Sequence, residues 1–263
     1  MEEDGRFAVS YALGVFRSVF FIEVKAMAEL LQQMKENLAF LAMCLLIIAG
    51  LSAAARIAEH YLPGKRKVTP ARRIAIVGIC AAIATVLHIL DFPLLFLAPE
   101  FYKLDFSELP VMLCGFYLGP AAAVACEGIK ILLKLLLKGT STAFVGDFAN
   151  FCVGCSLVLP AMIIYHIRKS RASAIWGSII GSITITIFGS AFNAIYLLPK
   201  FAQLYGMPLE SIIAAGTAIN GGIKDISTFV LFAVAPLNLL KGIIISVLTM
   251  LLYKRVARPL FGK

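Results

Sequence analysis

The sequence predicts an all-α integral membrane protein, with a bundle of six transmembrane spans and an additional N-terminal helical region. Of its 263 residues, 60% are hydrophobic and only 15% are charged, and the mean hydropathy is +0.91. A soluble domain could not bury that much apolar surface. The apolar residues also form long segments, which are separated by basic loops or loops with proline and glycine. This length suits one bundle and leaves no room for a separate soluble domain.

The first 70 residues predict elements outside the regular bundle. Residues 1–36 include an amphipathic stretch, and their apolar part contains Arg17, so we expect them to lie at the membrane interface. Within residues 37–70, Leu38–Ala55 predicts an extra transmembrane helix, and a basic linker follows it. Residues 71–263 are expected to form the six-span domain.

Six apolar segments of this domain predict its spans: Ile74–Leu90, Glu108–Leu118, Ala121–Leu137, Phe148–Ile167, Ile175–Leu198 and Ile226–Tyr253. The short second span ends at Gly119 and Pro120, which predict a turn. The last segment exceeds a hydrocarbon core of about 30 Å. Pro236 predicts a break in it, because proline cannot donate a backbone hydrogen bond. Pro199–Lys224 predicts a long outer loop with short helices.

Basic residues are concentrated in alternate loops, and this asymmetry predicts the orientation. Because loops rich in lysine and arginine stay in the cytoplasm, we expect a multi-pass protein of the plasma membrane with a cytoplasmic C-terminus. The net charge of +9 is then a topology signal and predicts no nucleic-acid partner. The side predicted to be cytoplasmic holds Arg56, Lys65, Arg66, Lys67, Arg72, Arg73, Arg168, Lys169, Arg171, Lys254, Arg255, Arg258 and Lys263.

Three polar side chains lie near the outer face in otherwise apolar spans. Asn238 and Lys241 are three residues apart and share a helical face, and Asn193 precedes the end of its span by about a turn and a half. A membrane lysine costs about 2.5–3.5 kcal/mol on insertion scales, so Lys241 either faces a polar cavity or snorkels to the interface. Asn193 alone is also consistent with an interhelical hydrogen bond. Together, the three groups predict a site for a small polar solute.

Charged residues flank or enter the next spans. Asp105 and Glu108 lie around the start of the second span, where Ser107 is a candidate N-cap. This segment has either that structural role or the role of a lid over a binding site. Glu127 and Lys130 lie three residues apart, and we expect a structural ion pair rather than a proton relay.

Two further segments contain candidate functional residues. At the start of the fourth span, Asp147 is a candidate N-cap and Asn150 a candidate cavity group. In the first span, Gly78 and Ala82 belong to a stripe of small residues that lets another helix approach closely. The stripe fits packing within the chain and contact with a partner subunit equally well.

The sequence contains no motif for catalysis or for nucleotide binding. The patterns G-x-x-x-x-G-K-[ST], H-E-x-x-H and G-x-S-x-G are absent, and the three histidines are scattered. Cys152 and Cys155 have C-x-x-C spacing without a second pair nearby, so we expect them to pack within a helix. We therefore expect no enzyme activity, no cofactor and no metal. Uphill transport would draw its energy from an ion gradient or from another subunit.

A set of motifs resembles those of a known family in both order and spacing. These motifs span residues 74–258, and the last is the most specific: Asp91-Phe-Pro93, Lys103-Leu-Asp-Phe-Ser-Glu-Leu-Pro110, Gly115-Phe-Tyr-Leu-Gly-Pro120, Phe148-Ala-Asn-Phe151, Leu197-Leu-Pro199, Tyr205-Gly206 and Pro236-Leu-Asn-Leu-Leu-Lys-Gly242. The sequence is similar to the riboflavin-binding type of S component. These proteins are the substrate-binding subunits of energy-coupling factor (ECF) vitamin transporters in prokaryotic plasma membranes.

The resemblance implies a six-helix S component that captures riboflavin with high affinity from the outer side. It implies that Asn193, Asn238 and Lys241 hydrogen-bond the flavin and that the first outer loop, which contains Asp105, covers it. We expect apolar and aromatic walls around the flavin ring from Phe92, Phe96 and Phe148, with Asn150 nearby.

The resemblance also implies docking on a membrane-embedded T subunit that is driven by two ATPases, with Gly78 and Ala82 at the contact. The sequence departs from the family pattern at Leu237, where Phe is common, and at Ile131, where Asn is common. The interval between Pro199 and Tyr205 is also longer here. An S component for a different vitamin or flavin-related compound, or a membrane scaffold without a transport role, therefore remains an alternative.

Overall fold

The computed structural model describes residues 38–63 and 68–261. The predicted interfacial region 1–36 and linker residues 64–67 lie outside the described residues. In the described part of the chain, five helices are long and apolar enough to cross a membrane, and Glu108–Leu118 is a shorter apolar helix. The predicted all-α membrane bundle is therefore confirmed.

The described elements are almost entirely helical. In chain order they are α1 (Leu38–Tyr61), α2 (Pro70–Ile89), β1 (Phe92–Pro93), β2 (Lys103–Leu104), α3 (Glu108–Leu118), α4 (Pro120–Lys138), α5 (Val145–Ile167), α6 (Arg171–Phe192), a π-helical segment (Asn193–Leu197), α7 (Leu198–Tyr205), α8 (Leu209–Thr217), α9 (Ile226–Phe229), a second π-helical segment (Val230–Val234) and α10 (Ala235–Phe261). The strands pair antiparallel, with Phe92 opposite Leu104, and fold the α2–α3 loop back on itself.

Glycine and proline residues mark the boundary between α3 and α4. Helix α1 continues beyond the predicted Ala55 to Tyr61, whereas α3 has the predicted bounds. Gly119 has a φ of 112°, a backbone conformation that side chains with a Cβ rarely adopt, and Pro120 begins α4. The chain therefore reverses between α3 and α4 within one residue.

The stretch Pro199–Lys224 contains more regular structure than a long loop. The helical run that starts with α6 continues past the predicted end at Leu198, because the π-helical segment Asn193–Leu197 leads directly into α7. Helix α8 follows after a short turn. Pro199 lies in the first turn of α7, directly after the π-helical segment Asn193–Leu197. A wider turn of this kind accommodates a proline, which cannot donate a hydrogen bond to the preceding turn. The expectation of short helices in this stretch is confirmed.

The predicted break at Pro236 is wrong, because the chain stays helical from Ile226 to Phe261. Proline cannot donate the usual hydrogen bond to the preceding turn. Here the π-helical segment Val230–Val234 lies directly before Pro236. A wider turn of this kind accommodates the irregularity without ending the helix.

We define the cavity end of the bundle as the end with the α2–α3 and α4–α5 loops, and the opposite end as the end with the α3–α4 and α5–α6 turns. Helices α5 and α6 are in close contact in the half nearer the opposite end. A Cβ on Gly181 would lie 2.5 Å from the carbonyl oxygen of Leu157, and one on Gly177 would lie 2.6 Å from that of Ala161. Helix α10 is similarly close to α6, where Gly242 faces Ser182. This half is packed backbone against backbone.

Candidate functional site

A cavity of about 410 Å³ opens at the cavity end of the bundle. Its lining includes five of the predicted site residues: Asp105, Asn150, Asn193, Asn238 and Lys241. These residues come from the α2–α3 loop, α5, the first π-helical segment and α10. The structure therefore brings together side chains that are up to 136 positions apart in the chain.

Asn193 is held by two hydrogen bonds. Its Nδ2 donates to the Gly189 carbonyl oxygen at 2.7 Å, and its Oδ1 accepts from the Tyr102 hydroxyl at 2.6 Å. Tyr102 lies in the α2–α3 loop and also packs against Phe229, with ring centroids 6.0 Å apart. The amide of Asn193 thus ties the loop to α6, and its orientation at the cavity wall is fixed.

Asn238 lies in the first turn of α10 and has a different environment. Its side chain is buried and, within the described part of the chain, it makes no hydrogen bond to another residue. The absence of a Cβ at Gly189 leaves space for its amide, because a Cβ there would lie 2.6 Å from Nδ2. Asn238 therefore presents a donor and an acceptor to the cavity that the protein itself does not use.

Lys241 is buried, with 7% of its surface exposed, so the interpretation that it snorkels to the interface is wrong. Its Nζ donates to Asp105 Oδ2 at 3.0 Å and lies 2.9 Å from Glu108 Oε2. Burial raises the pKa of the Asp105 carboxyl, but the Lys241 ammonium and the His88 ring outweigh it and hold this pKa well below its usual range. The lysine is charged and held against two carboxylates at the cavity wall.

The predicted pair of Glu127 and Lys130 is confirmed and belongs to a larger buried cluster. Lys130 donates to Glu127, to Ser107 Oγ at 3.0 Å and to Glu108 Oε1 at 3.4 Å. The sequence predicted Ser107 as the N-cap of α3, but its side chain makes no capping hydrogen bond. Its hydroxyl accepts a hydrogen bond from Lys130 instead. Since Glu108 is within ion-pair distance of both Lys130 and Lys241, it links this cluster to the cavity wall.

Asp147 is also not an N-cap. Helix α5 begins at Val145, earlier than predicted, and the Asp147 carboxylate accepts from Lys134 Nζ at 2.6 Å. Asn150 lines the cavity as predicted, while its Nδ2 donates to the Gly146 carbonyl oxygen at 3.1 Å.

Phe92, Phe96 and Phe148, the aromatic residues predicted as walls, are not among the residues that line this cavity. Phe148 does not line the cavity because it lies on the other side of α5 from Gly146 and Asn150, and its ring contacts that of Phe192. Phe92 packs on Phe106, and Phe96 is 76% exposed. The aromatic residues that line the cavity are Phe101, Tyr102, Phe201 and Tyr205. Two of them, Phe201 and Tyr205, come from α7, in the stretch that the sequence predicted as an outer loop with short helices.

Every lysine that lines the cavity is near a carboxylate. At the mouth, Lys103 and Lys138 lie 3.4 and 3.6 Å from Asp91 Oδ1. Deeper in the cavity, Lys134 pairs with Asp147, and Lys241 with Asp105 and Glu108. Because these cations already have anionic partners, the cavity suits a neutral polar ligand better than a strongly anionic one.

His88 also lines the cavity, although no sequence motif indicated it. It occupies the last turn of α2, and its Nδ1 lies 3.5 Å from Asp105 Oδ2. The sequence signal was weak, since a histidine in an apolar helix is usually a packing residue. Only the folding of the α2–α3 loop places it beside Asp105.

Gly78 and Ala82 lie on the exposed surface of α2. A Cβ on Gly78 would have no other atom within 4 Å. Gly78 also lines a groove of about 620 Å³ between α1, α2 and α4. Near this groove Glu59 of α1 accepts from Arg73 Nη2 at 3.0 Å and from the Ala121 amide at 3.1 Å. The stripe is therefore available to another molecule, and no bulky neighbour in the described part of the chain covers it.

Comparison with known proteins gives consistent results. A family profile described as the substrate-specific component of the ECF transporter matches residues 72–253. The riboflavin transporter RibU of Staphylococcus aureus (strain TCH60) is 35% identical over 196 residues, which cover 74% of this chain and 96% of that protein. The riboflavin transporter FmnP of Bacillus subtilis (strain 168) is 30% identical over 183 residues, 69% of this chain and 90% of that protein.

One solved structure is also similar. It is described as the S component of a bacterial ECF transporter, and it has 36% sequence identity to this chain and a TM-score of 0.57. The match covers 74% of this chain and 99% of that structure. The profile match begins at residue 72, so α1 lies outside the matched region.

Proposed function

Because this chain belongs to the substrate-specific components of ECF transporters, we propose that it is the high-affinity riboflavin-binding subunit of such a transporter. The observation that carries the proposal is the placement of Asn193, Asn238 and Lys241 on one cavity wall. Two relatives that are at least 30% identical are riboflavin transporters by name. The chemistry of the cavity and the similarity of the chain to these relatives therefore support the same ligand.

The unused amide of Asn238 fits one edge of a flavin. The pyrimidine ring of a flavin carries N–H and C=O groups side by side, and a carboxamide can pair with both at once. The cavity volume of about 410 Å³ is within the usual range of roughly 300–1,000 Å³ for small-molecule sites. The paired lysines favour the neutral vitamin over a phosphorylated flavin.

The transport role places the cavity end towards the outside of the cell. The distribution of basic residues supports this orientation, with the C-terminus in the cytoplasm. Since the sequence has no nucleotide-binding loop, the energy for uptake would come from a T subunit and two ATPases. The exposed Gly78 and Ala82 support docking on the T subunit.

A titration of the purified protein with riboflavin tests the proposal. We expect quenching of flavin fluorescence with a Kd in the nanomolar range, equivalent to about −12 kcal/mol. Binding no tighter than millimolar would contradict it. The absorption spectrum of a ligand that copurifies with the protein discriminates between the alternatives, because a different vitamin would lack the flavin bands and a scaffold would carry no ligand.

A further inference from the structure

A second group of polar side chains lines the cavity where α4 and α5 meet. We define the α4–α5 rim as Lys134, Thr142, Asp147 and Asn150, all of which line the cavity. They lie on α4, on α5 and on the turn between these two helices. The cavity wall proposed for the flavin ring lies instead on the first π-helical segment and on α10. The cavity therefore receives polar groups from two separate parts of the chain.

Lys134 is held at the cavity by two hydrogen bonds. Its Nζ donates to Asp147 Oδ1 at 2.6 Å and to the carbonyl oxygen of Gly139 at 2.9 Å. A lysine ammonium has three N–H donors, so one donor of Lys134 has no acceptor in the described part of the chain. The side chain is 15% exposed and lines the cavity. Its third donor is therefore available to a ligand there.

Thr142 and Asn150 also have hydrogen-bonding groups that the described residues do not use. The Thr142 hydroxyl oxygen accepts from the Gly146 amide at 3.0 Å, while its O–H has no acceptor among the described residues. The Asn150 Nδ2 donates to the Gly146 carbonyl oxygen at 3.1 Å, while its Oδ1 accepts from no described residue. A Cβ at Gly146 would lie 2.8 Å from the Thr142 hydroxyl oxygen, so glycine permits this close approach. The rim thus offers an N–H donor, a hydroxyl group and a carbonyl oxygen.

We propose that the α4–α5 rim is a polyol subsite, in which Lys134, Thr142 and Asn150 hydrogen-bond the hydroxyl groups of a sugar-alcohol chain. Asp147 is a positioning residue, because it holds Lys134 in place. A hydroxyl group both donates and accepts hydrogen bonds, so it can pair with the N–H donor and with the carbonyl oxygen of the rim. Riboflavin carries such a chain, the ribityl group, on its central ring. This inference rests on the proposed function and extends it from recognition of the ring to recognition of the tail.

The subsite predicts that the protein distinguishes flavins by their tails. Lumiflavin has the same ring with a methyl group in place of the ribityl chain, so it cannot hydrogen-bond to the rim. Loss of a hydrogen bond to a charged group such as the Lys134 ammonium lowers affinity by about tenfold or more. The wild-type protein is therefore expected to bind riboflavin at least about tenfold more tightly than lumiflavin.

Two variants separate recognition of the tail from recognition of the ring. Lys134→Met together with Asp147→Leu replaces the ion pair with apolar side chains and leaves neither charge buried alone. It should weaken riboflavin binding about tenfold and change lumiflavin affinity by less than about twofold. Thr142→Val replaces the hydroxyl group with a methyl group of similar size, and it should weaken only riboflavin binding, by about threefold. Asn238→Leu is the comparison, because loss of a ring contact should weaken binding of both flavins by the same factor.

The test is fluorescence titration of the full-length protein in detergent with riboflavin and, separately, with lumiflavin. Equal affinity of the wild type for the two flavins would overturn the subsite while riboflavin binding itself remained. Equal weakening of both flavins by the double variant, or no weakening of riboflavin binding, would contradict it as well. If the double variant does not fold, the wild type and Thr142→Val decide the matter. If the wild type bound neither flavin, both this inference and the proposed function would fail.

Discussion

Helix α6 has two halves in which glycine serves different purposes. Near the opposite end of the bundle, Gly181 faces the carbonyl oxygen of Leu157, 2.5 Å from the position that a Cβ would take. Near the cavity, Gly189 faces the side-chain amide of Asn238 at 2.6 Å. The first glycine lets two helix backbones touch, and the second leaves room for a side chain at the cavity wall.

The difference lies in how freely the neighbour can move. The carbonyl oxygen of Leu157 is part of α5 and cannot retreat unless the helix shifts. The amide of Asn238 is the end of a side chain and can rotate about its own torsions. Added bulk near the opposite end should therefore reduce stability, whereas added bulk beside the cavity should reduce ligand affinity.

A third glycine, Gly78 of α2, faces neither a backbone nor a side chain, since a Cβ there would have no other atom within 4 Å. Substitution on this surface has the largest expected effect, a loss of riboflavin uptake. Gly78→Leu together with Ala82→Leu should leave riboflavin binding intact, because both positions are exposed. It should abolish riboflavin uptake in cells that carry the T subunit and ATPases, since bulky side chains would block close helix approach. Ile83→Leu on the same exposed surface adds no bulk and serves as the control. Loss of riboflavin binding by the purified double variant would mean that the stripe packs inside the protein.

The second-largest expected effect is a loss of folding stability. Gly181→Ala inserts a methyl group against the backbone of α5, and we expect a loss of stability of about 1–3 kcal/mol, as for other overpacked cores. Gly128→Ala is the matched control, because its Cβ would make an ordinary contact at 3.7 Å with Phe151. Thermal unfolding in detergent compares the two variants. Equal melting temperatures would show that α5 and α6 are not in backbone contact.

The sequence was sufficient to predict the polar residues of the site, because polar side chains are costly in a membrane and therefore stand out in apolar spans. Asn193, Asn238 and Lys241 were identifiable because each interrupts an apolar span near one end. Their convergence with Asp105 then follows from the way the helices pack. Helix α3 was predicted with its observed bounds because Gly119 and the following proline mark its end.

The remaining parts depend on tertiary contacts that a local pattern does not contain. Tyr102 reaches the cavity, and Asp105 lies beside His88, only because the α2–α3 loop folds back over the bundle. Phe148 does not line the cavity, because two residue steps on a helix rotate its side chain by about 200° from those of Gly146 and Asn150. Serine is a common N-cap residue, but the hydroxyl of Ser107 accepts a hydrogen bond from the buried Lys130 instead.

The most direct test of the cavity as the riboflavin site is the affinity of Gly189→Ala, measured with its melting temperature. The added Cβ would displace the amide of Asn238 without touching a backbone atom among its nearest neighbours. We expect riboflavin affinity to fall about tenfold, as for one lost hydrogen bond of about 1.5 kcal/mol, with little change in melting temperature. Asn238→Leu should weaken binding at least as much, and Gly128→Ala should not. Wild-type affinity in both Gly189→Ala and Asn238→Leu would contradict the assignment of this cavity.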